Sequence, residues 1–347
     1  MRLCCLLFLL PLTAVSDLLS GGRDRGYSIV CAYAPFVFQA TDEEEGRQDL
    51  IANIDFDGDL VGNNNWEHFG DFPLIPTVYY AFLETATHYF IAFHLFHPRD
   101  WNHVTFWLHD THENDGENFQ IVVRKSDGAV VLLWTQAHYR SEVYVLPGAG
   151  IGSGRTAVDG VFQVLDANGK PDVNGEHVAV FVESEGHGIY GTLSQSSGVT
   201  ILPQGQWSFD DGSGVRFRPA HDDERIAEPS TFRGGDVPYR LVSTTKLLWP
   251  LLRDGTLTGD GRLLDGVFPY KDSRVRIDVP GYYDADRYSG PFGPDRGISP
   301  FALDFFFDEG TLGALFFNPA ERYLQRLTIQ GAWSTQYLDF PFVTEKQ

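Results

Sequence analysis

Seven short runs of β-branched and aromatic residues, each fenced by Gly, Pro, Asn or Asp, set the limits on how this 347-residue chain can fold. They are Ser28–Phe38, Thr77–Phe82, His88–Leu95, Phe119–Val123, Ala129–Trp134, His177–Val182 and Gly214–Phe217. Side chains of this kind suit a pleated, half-buried surface, and the fencing residues are those that turn a chain between strands. Asp127-Gly128 and Asn168-Gly169 are hairpin-type dipeptides. Helical signals are few, with Thr244–Arg253 and Pro319–Gln325 the best of them. The pattern predicts an all-β fold: a β-sandwich with long decorated loops and a few short helices. With 27 Phe, the chain has ample material for a large core. Beyond about residue 205, Gly, Asp and Pro increase and the strand signals fade. Residues 27–204 therefore read as the sandwich core. Residues 205–347 read as a β-rich extension, either part of the same domain or a separate unit.

The first sixteen residues have the pattern of a secretory signal. Arg2 gives a positive start, Leu3–Val15 is apolar, and Ala14-Val15-Ser16 is a small-residue cleavage site. The apolar stretch is shorter than the roughly 20 residues that span a bilayer. No later segment is long and apolar enough to act as a membrane anchor. After cleavage only Cys31 remains, so stability must come from core burial, with bound metal as an optional addition, and not from disulfides. The formal charge of −21 and pI near 4.7 exclude nucleic acid as a partner. The same charge is compatible with divalent cations outside the cytoplasm.

Residues 109–117, His-Asp-Thr-His-Glu-Asn-Asp-Gly-Glu, lie between two strand-like runs. Carboxylates this close repel one another unless protons or a cation neutralise them. Asp115 and Glu117 would share one side of an extended chain, and His112 would reach them from the preceding turn. Asp100, at the end of the previous strand, completes a candidate metal set of Asp100, His112, Asp115 and Glu117. Such an oxygen-rich set favours Ca²⁺ or Mg²⁺, with Mn²⁺ as a further option, over thiolate-type zinc. The bland alternative is a solvated turn. Two His-x-x-His pairs, 94/97 and 109/112, are not preset to chelate, because residues three apart on a strand face opposite ways. Asp55, Asp57 and Asp59 begin like a second calcium loop, with Gly58 for the bend, but no closing Glu follows; a solvated Asx turn is the other reading.

Here the sequence resembles a known group. His112–Glu117 has the spacing of the Gly-His-Arg-His-Asp-Trp-Glu signature of the NPP1-like necrosis-inducing proteins and of the related segment in Vps62-like proteins. Tyr89–Asp100 is similar to the aromatic strand before that signature. Glu185-Gly186-His187-Gly188-Ile189-Tyr190 is similar to a downstream strand and turn, and Tyr33-Ala34-Pro35 to the opening strand. The resemblance covers roughly residues 30–195 and implies a β-sandwich holding a divalent cation. The cation would sit on His112, Asp115, Glu117 and Asp100, with His187 near it as a supporting group. Gly116 stands where the signature has Trp, Asn114 replaces its second His, and the leading Gly is absent. The membrane-damaging activity of the toxins is therefore not carried over.

These readings converge on a secreted, cation-binding β-sandwich that recognises a polar ligand such as a glycan or lipid headgroup. Trp66, Trp101, Trp107, Tyr282, Tyr283 and Tyr288 lie near polar turns and are candidates either for stacking on such a ligand or for the core. The alternative is a metal-dependent hydrolase of an ester or glycoside, with His187 or Glu113 as general base. A third reading is a structural protein without metal. No Gly-x-Ser-x-Gly elbow is present, and Cys31 reads as a core thiol at the start of a strand.

Overall fold

The computed structural model describes residues 25–101, 111–137, 140–191, 198–210, 213–221, 223–259, 261–272, 274–283, 298–303 and 312–342. The signal-like segment, His103, Trp107, His109 and Tyr288 lie outside the described residues. The fold is all-β: a large curled sheet with a few short helices. Five strands of one edge follow each other in an antiparallel run: β2 (Thr77–Thr85), β3 (His88–Asp100), β4 (His112–Arg124), β5 (Val130–Ala137) and β6 (Arg140–Val145). The remaining strands interleave chain from distant positions. β1 (Phe36–Ala40) lies between His177–Val182 and Gly214–Pro219. Gly235–Ser243 then joins Gly214–Pro219 to β2, parallel to both. Two strands at the centre of the sheet thus come from beyond residue 205. The sheet curls until Ile189–Tyr190, at its far end, lies against β4 and β5. The approach is close: a Cβ on Gly191 would stand 2.5 Å from the Tyr144 ring.

Burial explains why these runs became strands. Phe90, Ile91, Phe93, Leu95, Phe119, Ile121, Val122 and Leu132 are all at most 1% exposed. Burying such a side chain contributes about 1.5–3 kcal/mol.

Two of the expected strands start far from where the sequence places them. Residues 25–32 form a helix rather than the start of a strand. Tyr27 and Val30, one turn apart, face inward; Val30 is fully buried, and the Tyr27 ring sits 6.4 Å from that of Tyr80 on β2. Packing against the sheet overrides the β propensity of Ile29 and Val30. Cys31 accordingly lies half-buried on a helix, and the strand begins only after Pro35. The second difference concerns β4, which starts at His112 instead of Phe119. β3 is equally long, and the two pair from His88 with Arg124 to Asp100 with His112, so the ladder draws the polar run into the sheet.

Candidate metal centre

Because the polar run is part of β4, its side chains are buried: His112, Glu113, Asn114, Asp115 and Glu117 are each at most 6% exposed. In a regular strand His112 and Asp115 would face opposite ways. Asn114 breaks the alternation with φ of 60°, a left-handed conformation that Asn tolerates better than most residues. Its side chain is fixed there, since the carboxamide accepts from the Asn65 Nδ2 and donates to the Gly62 carbonyl at 2.6 Å. On β3 the paired break is at Pro98, where the register skips from His97–Asp115 to Arg99–Glu113. The result is that one ligand atom each from Asp100, His112 and Asp115 lie within 4.8 Å of one another.

The state of His112 is readable from its contacts. Its Nδ1 stands 2.8 Å from the Glu113 carbonyl, which can only accept, so Nδ1 carries the proton. Nε2 stands 3.5 Å from Asp100 Oδ2, on the side of the two carboxylates, and is the nitrogen placed to ligate a metal. This is the tautomer a metal-ligating histidine needs. Two carboxylates and one neutral imidazole make a hard donor set, which fits Mg²⁺, Ca²⁺ or Mn²⁺.

Behind this group sits a second layer. His187 is fully buried, with Nδ1 2.7 Å from Asp115 Oδ2 and Nε2 3.2 Å from Asp49 Oδ1. Burial alone would push the imidazole down. Hydrogen bonds to Asp115 and Asp49, together with their charges, outweigh it and raise the group to about 10. Asp49 is itself held by the backbone N–H groups of Glu185 at 2.7 Å and Asp42 at 2.6 Å. The ring of His97 stacks on His187 at 3.7 Å and 6°. Burial, and after it the charge of His187, hold His97 well below its ordinary value. His187 and Glu185 also have positive φ, 51° and 66°. Three of the four such non-glycine residues among the described residues therefore surround this one site. Backbone strain of about 1–3 kcal/mol each is kept where function requires it.

The other expected residues are placed as follows. Glu117 is buried opposite Leu95, two residues beyond Asp115, and belongs to neither of the two groups of metal-capable atoms among the described residues. Glu113 Oε1 accepts the backbone N–H of Trp66, which ties the 62–68 segment to β4. Asp55, Asp57 and Asp59 have protein partners: Asp55 accepts from Asn53 at 2.9 Å, Asp57 pairs with His68 at 2.6 Å, and Asp59 accepts the Val61 N–H at 2.7 Å. Trp66 is half-buried, with the Arg99 guanidinium 4.0 Å over its ring, and Trp101, next to Asp100 in the sequence, is also half-buried. Tyr283 is a core residue, fully buried, its hydroxyl on His94 Nε2. This also explains Gly116: a Cβ there would fall 2.7 Å from the Tyr283 ring and from the Ile298 carbonyl, and 2.8 Å from His94. There is no room for the Trp of the signature.

Sequence reasoning missed Asp49 and Gln39. Asp49 is far from β4 in sequence and sits just after an acidic loop, so no local spacing marks it. The one available hint was a lone carboxylate immediately before the apolar run Leu50-Ile51-Ala52.

No family model and no curated protein matches the chain. The solved structures it is similar to are necrosis- and ethylene-inducing toxin-fold proteins. They include non-toxic HaNLP3, at 12% identity and TM-score 0.31, covering 67% of this chain and 81% of that one. NLPPya in complex with glucosamine matches at 16% identity and TM-score 0.31, covering 50% and 70%. Necrosis and Ethylene inducing Protein 2, from the causal agent of cocoa's Witches Broom disease, matches at 12% and 0.28, covering 65% and 74%. No helix among the described residues is long and apolar enough to cross a membrane.

Proposed function

We propose that this chain is a secreted, divalent-cation-binding β-sandwich protein that recognises a polar ligand of the glycan or lipid-headgroup type. The observation that carries the reading is the convergence of Asp100, His112 and Asp115, which exists only because Asn114 adopts a left-handed backbone. Asp100 and Asp115 would hold the cation through carboxylate oxygens and His112 through Nε2. Mg²⁺ and Ca²⁺ take six or more ligands, so three protein donors leave positions for oxygens of a ligand. A bound cation would supply electrostatic attraction for a hydroxyl or phosphate oxygen. Trp66 and Trp101 offer flat apolar faces beside it, and Arg99 a positive charge for an anionic group.

Binding is better supported than hydrolysis. The two residues that would serve as general base are engaged otherwise: both nitrogens of His187 face carboxylates, and Glu113 Oε1 accepts from Trp66. The test is Ca²⁺ and Mg²⁺ titration of the wild type and of Asp100→Asn combined with His112→Ala, with thermal melts in chelator. Saturation at 100 times Kd should add about 2.7 kcal/mol of stability to the wild type and none to the double variant. Equal metal uptake by both proteins would overturn the reading. If metal binds, glucosamine-containing oligosaccharides and anionic vesicles, each with and without cation, identify the ligand class.

A further inference from the structure

Asp115 has neighbours on two sides. Toward the open side lie Asp100 and His112, and toward the interior lie His97 and His187. One atom from each of His97, Asp115 and His187 again fall within 4.8 Å of one another. We infer that His97, His187 and Asp115 form a second cation position adjoining the first, with the Asp115 carboxylate shared between the two. The inference rests on the Asp100–His112–Asp115 site proposed above and extends it from one ion to a pair.

Three features support it. The first is the way the histidines are pinned. A ligating imidazole ordinarily donates its other ring N–H to an oxygen outside the site, which fixes tautomer and orientation. Gln39 uses its Nε2 to donate to the carbonyls of Ala40 and Glu183 at 3.0 and 3.1 Å. Its Oε1 is thereby the end that faces His97, so His97 Nε2 donates at 3.2 Å. His187 Nε2 likewise donates to Asp49, and Asp49 is oriented by two backbone N–H groups. The His187 Nδ1, which donates to Asp115 Oδ2 at 2.7 Å in the ion-free protein, would release that proton to solvent on taking the ion. Together with His112, three histidines around Asp115 share this arrangement, on three different oxygen acceptors.

The second feature is an unmatched atom. His97 is fully buried, and its Nδ1 has no hydrogen-bond partner. A lone pair sealed from water without a donor is costly, and a cation would satisfy it. The third is the donor chemistry. Two imidazoles and one carboxylate form a borderline set that suits Mn²⁺, Fe²⁺ or Zn²⁺ better than Ca²⁺. Of the ions that also suit the outer set, Mn²⁺ is the one both positions accept. A carboxylate shared between two ions typically holds them about 3.5–4 Å apart.

The experiment is Mn²⁺ titration of the purified full chain, read by metal content and by electron paramagnetic resonance. The expected result is two Mn²⁺ per chain with a spin-coupled spectrum. His97→Phe, which keeps a ring stacked on His187 but removes the nitrogens, should bind one Mn²⁺ with an uncoupled spectrum. Asp100→Asn with His112→Ala should likewise retain one. A single Mn²⁺ in the wild type, unchanged by His97→Phe and lost in the double variant, overturns the second position and leaves the outer site standing. No loss in the double variant instead removes the outer site. If His97→Phe fails to give a cooperative melt, wild-type stoichiometry and spin coupling decide alone: two coupled ions support the pair, one ion refutes it.

Discussion

Asn114→Ala tests the step on which the site depends. Two terms add. Holding Ala at a φ of 60° costs about 1–2 kcal/mol, since its Cβ meets the following carbonyl. Removing the carboxamide strands the Asn65 amide and the Gly62 carbonyl, both buried, at about 1–3 kcal/mol for each group left unsatisfied. The sum is about 3–8 kcal/mol, at or beyond the upper end for a single substitution. Asn114→Gly loses the same hydrogen bonds and escapes the backbone term, while giving back about 0.5–1 kcal/mol through the freer unfolded chain. Gly should therefore be at least as stable as Ala, by up to about 1.5 kcal/mol. Urea unfolding with a common slope measures this difference. Mg²⁺ titration reads the consequence: Ala should weaken binding by about tenfold or more, as loss of supporting contacts does in other metal sites, and Gly by less. If Ala is more stable than Gly, or binds Mg²⁺ like the wild type, the backbone turn at Asn114 is not what brings His112 and Asp115 together.

Gly116→Ala should destabilise by about 1–3 kcal/mol, because the new Cβ overlaps Tyr283, His94 and the Ile298 carbonyl; Gly70→Ala, with nothing within 4 Å, is the control, and equal melting of the two would refute the packing account. His88 titrates at about 4 in the folded protein, lowered first by burial and then by the charge of Arg124. The unfolded chain takes up this proton near 6.5 and the folded one near 4, so the stabilisation is full above about pH 6.5 and is lost as pH falls toward 4. His88→Gln should lose about 2–3 kcal/mol less than wild type between pH 7 and 4, and parallel pH profiles from urea melts would contradict it.

The strands most legible in the sequence were those whose apolar residues alone decide their fate. His177–Val182 appears as expected, and β2, β3 and β5 differ only at their ends. The first half of β4 was illegible because Asp, Asn and Gly disfavour strands; it is a strand because β3 offers it a partner of equal length. The helix at 25–32 was hidden for the converse reason, its β-branched residues being used by one helical face. At the site, the spacing of His112 and Asp115 was visible while their convergence was not. The turn at Asn114 depends on Asn65 and Gly62, some 50 residues away. Asp49 and Gln39 reach the centre only through tertiary contacts, which no local pattern encodes.

The interleaved strand order has a consequence for how the molecule is made. β2 to β6 need only their immediate successors and can pair while the chain is still emerging. β1, by contrast, cannot complete its pairing until Phe217 reaches Val37, and the gap to β2 closes only with Gly235–Ser243. Contacts of such long separation form slowly. Until then β1 and β2 present open edges, the surfaces from which strands of different molecules pair and aggregate. His187 and Asp49 belong to the part that assembles late, and Asp100, His112 and Asp115 to the part that assembles early. A nascent chain halted near residue 204 would carry the outer ligands on a sheet whose β1 and β2 edges still lack their partners, open to strands of other molecules.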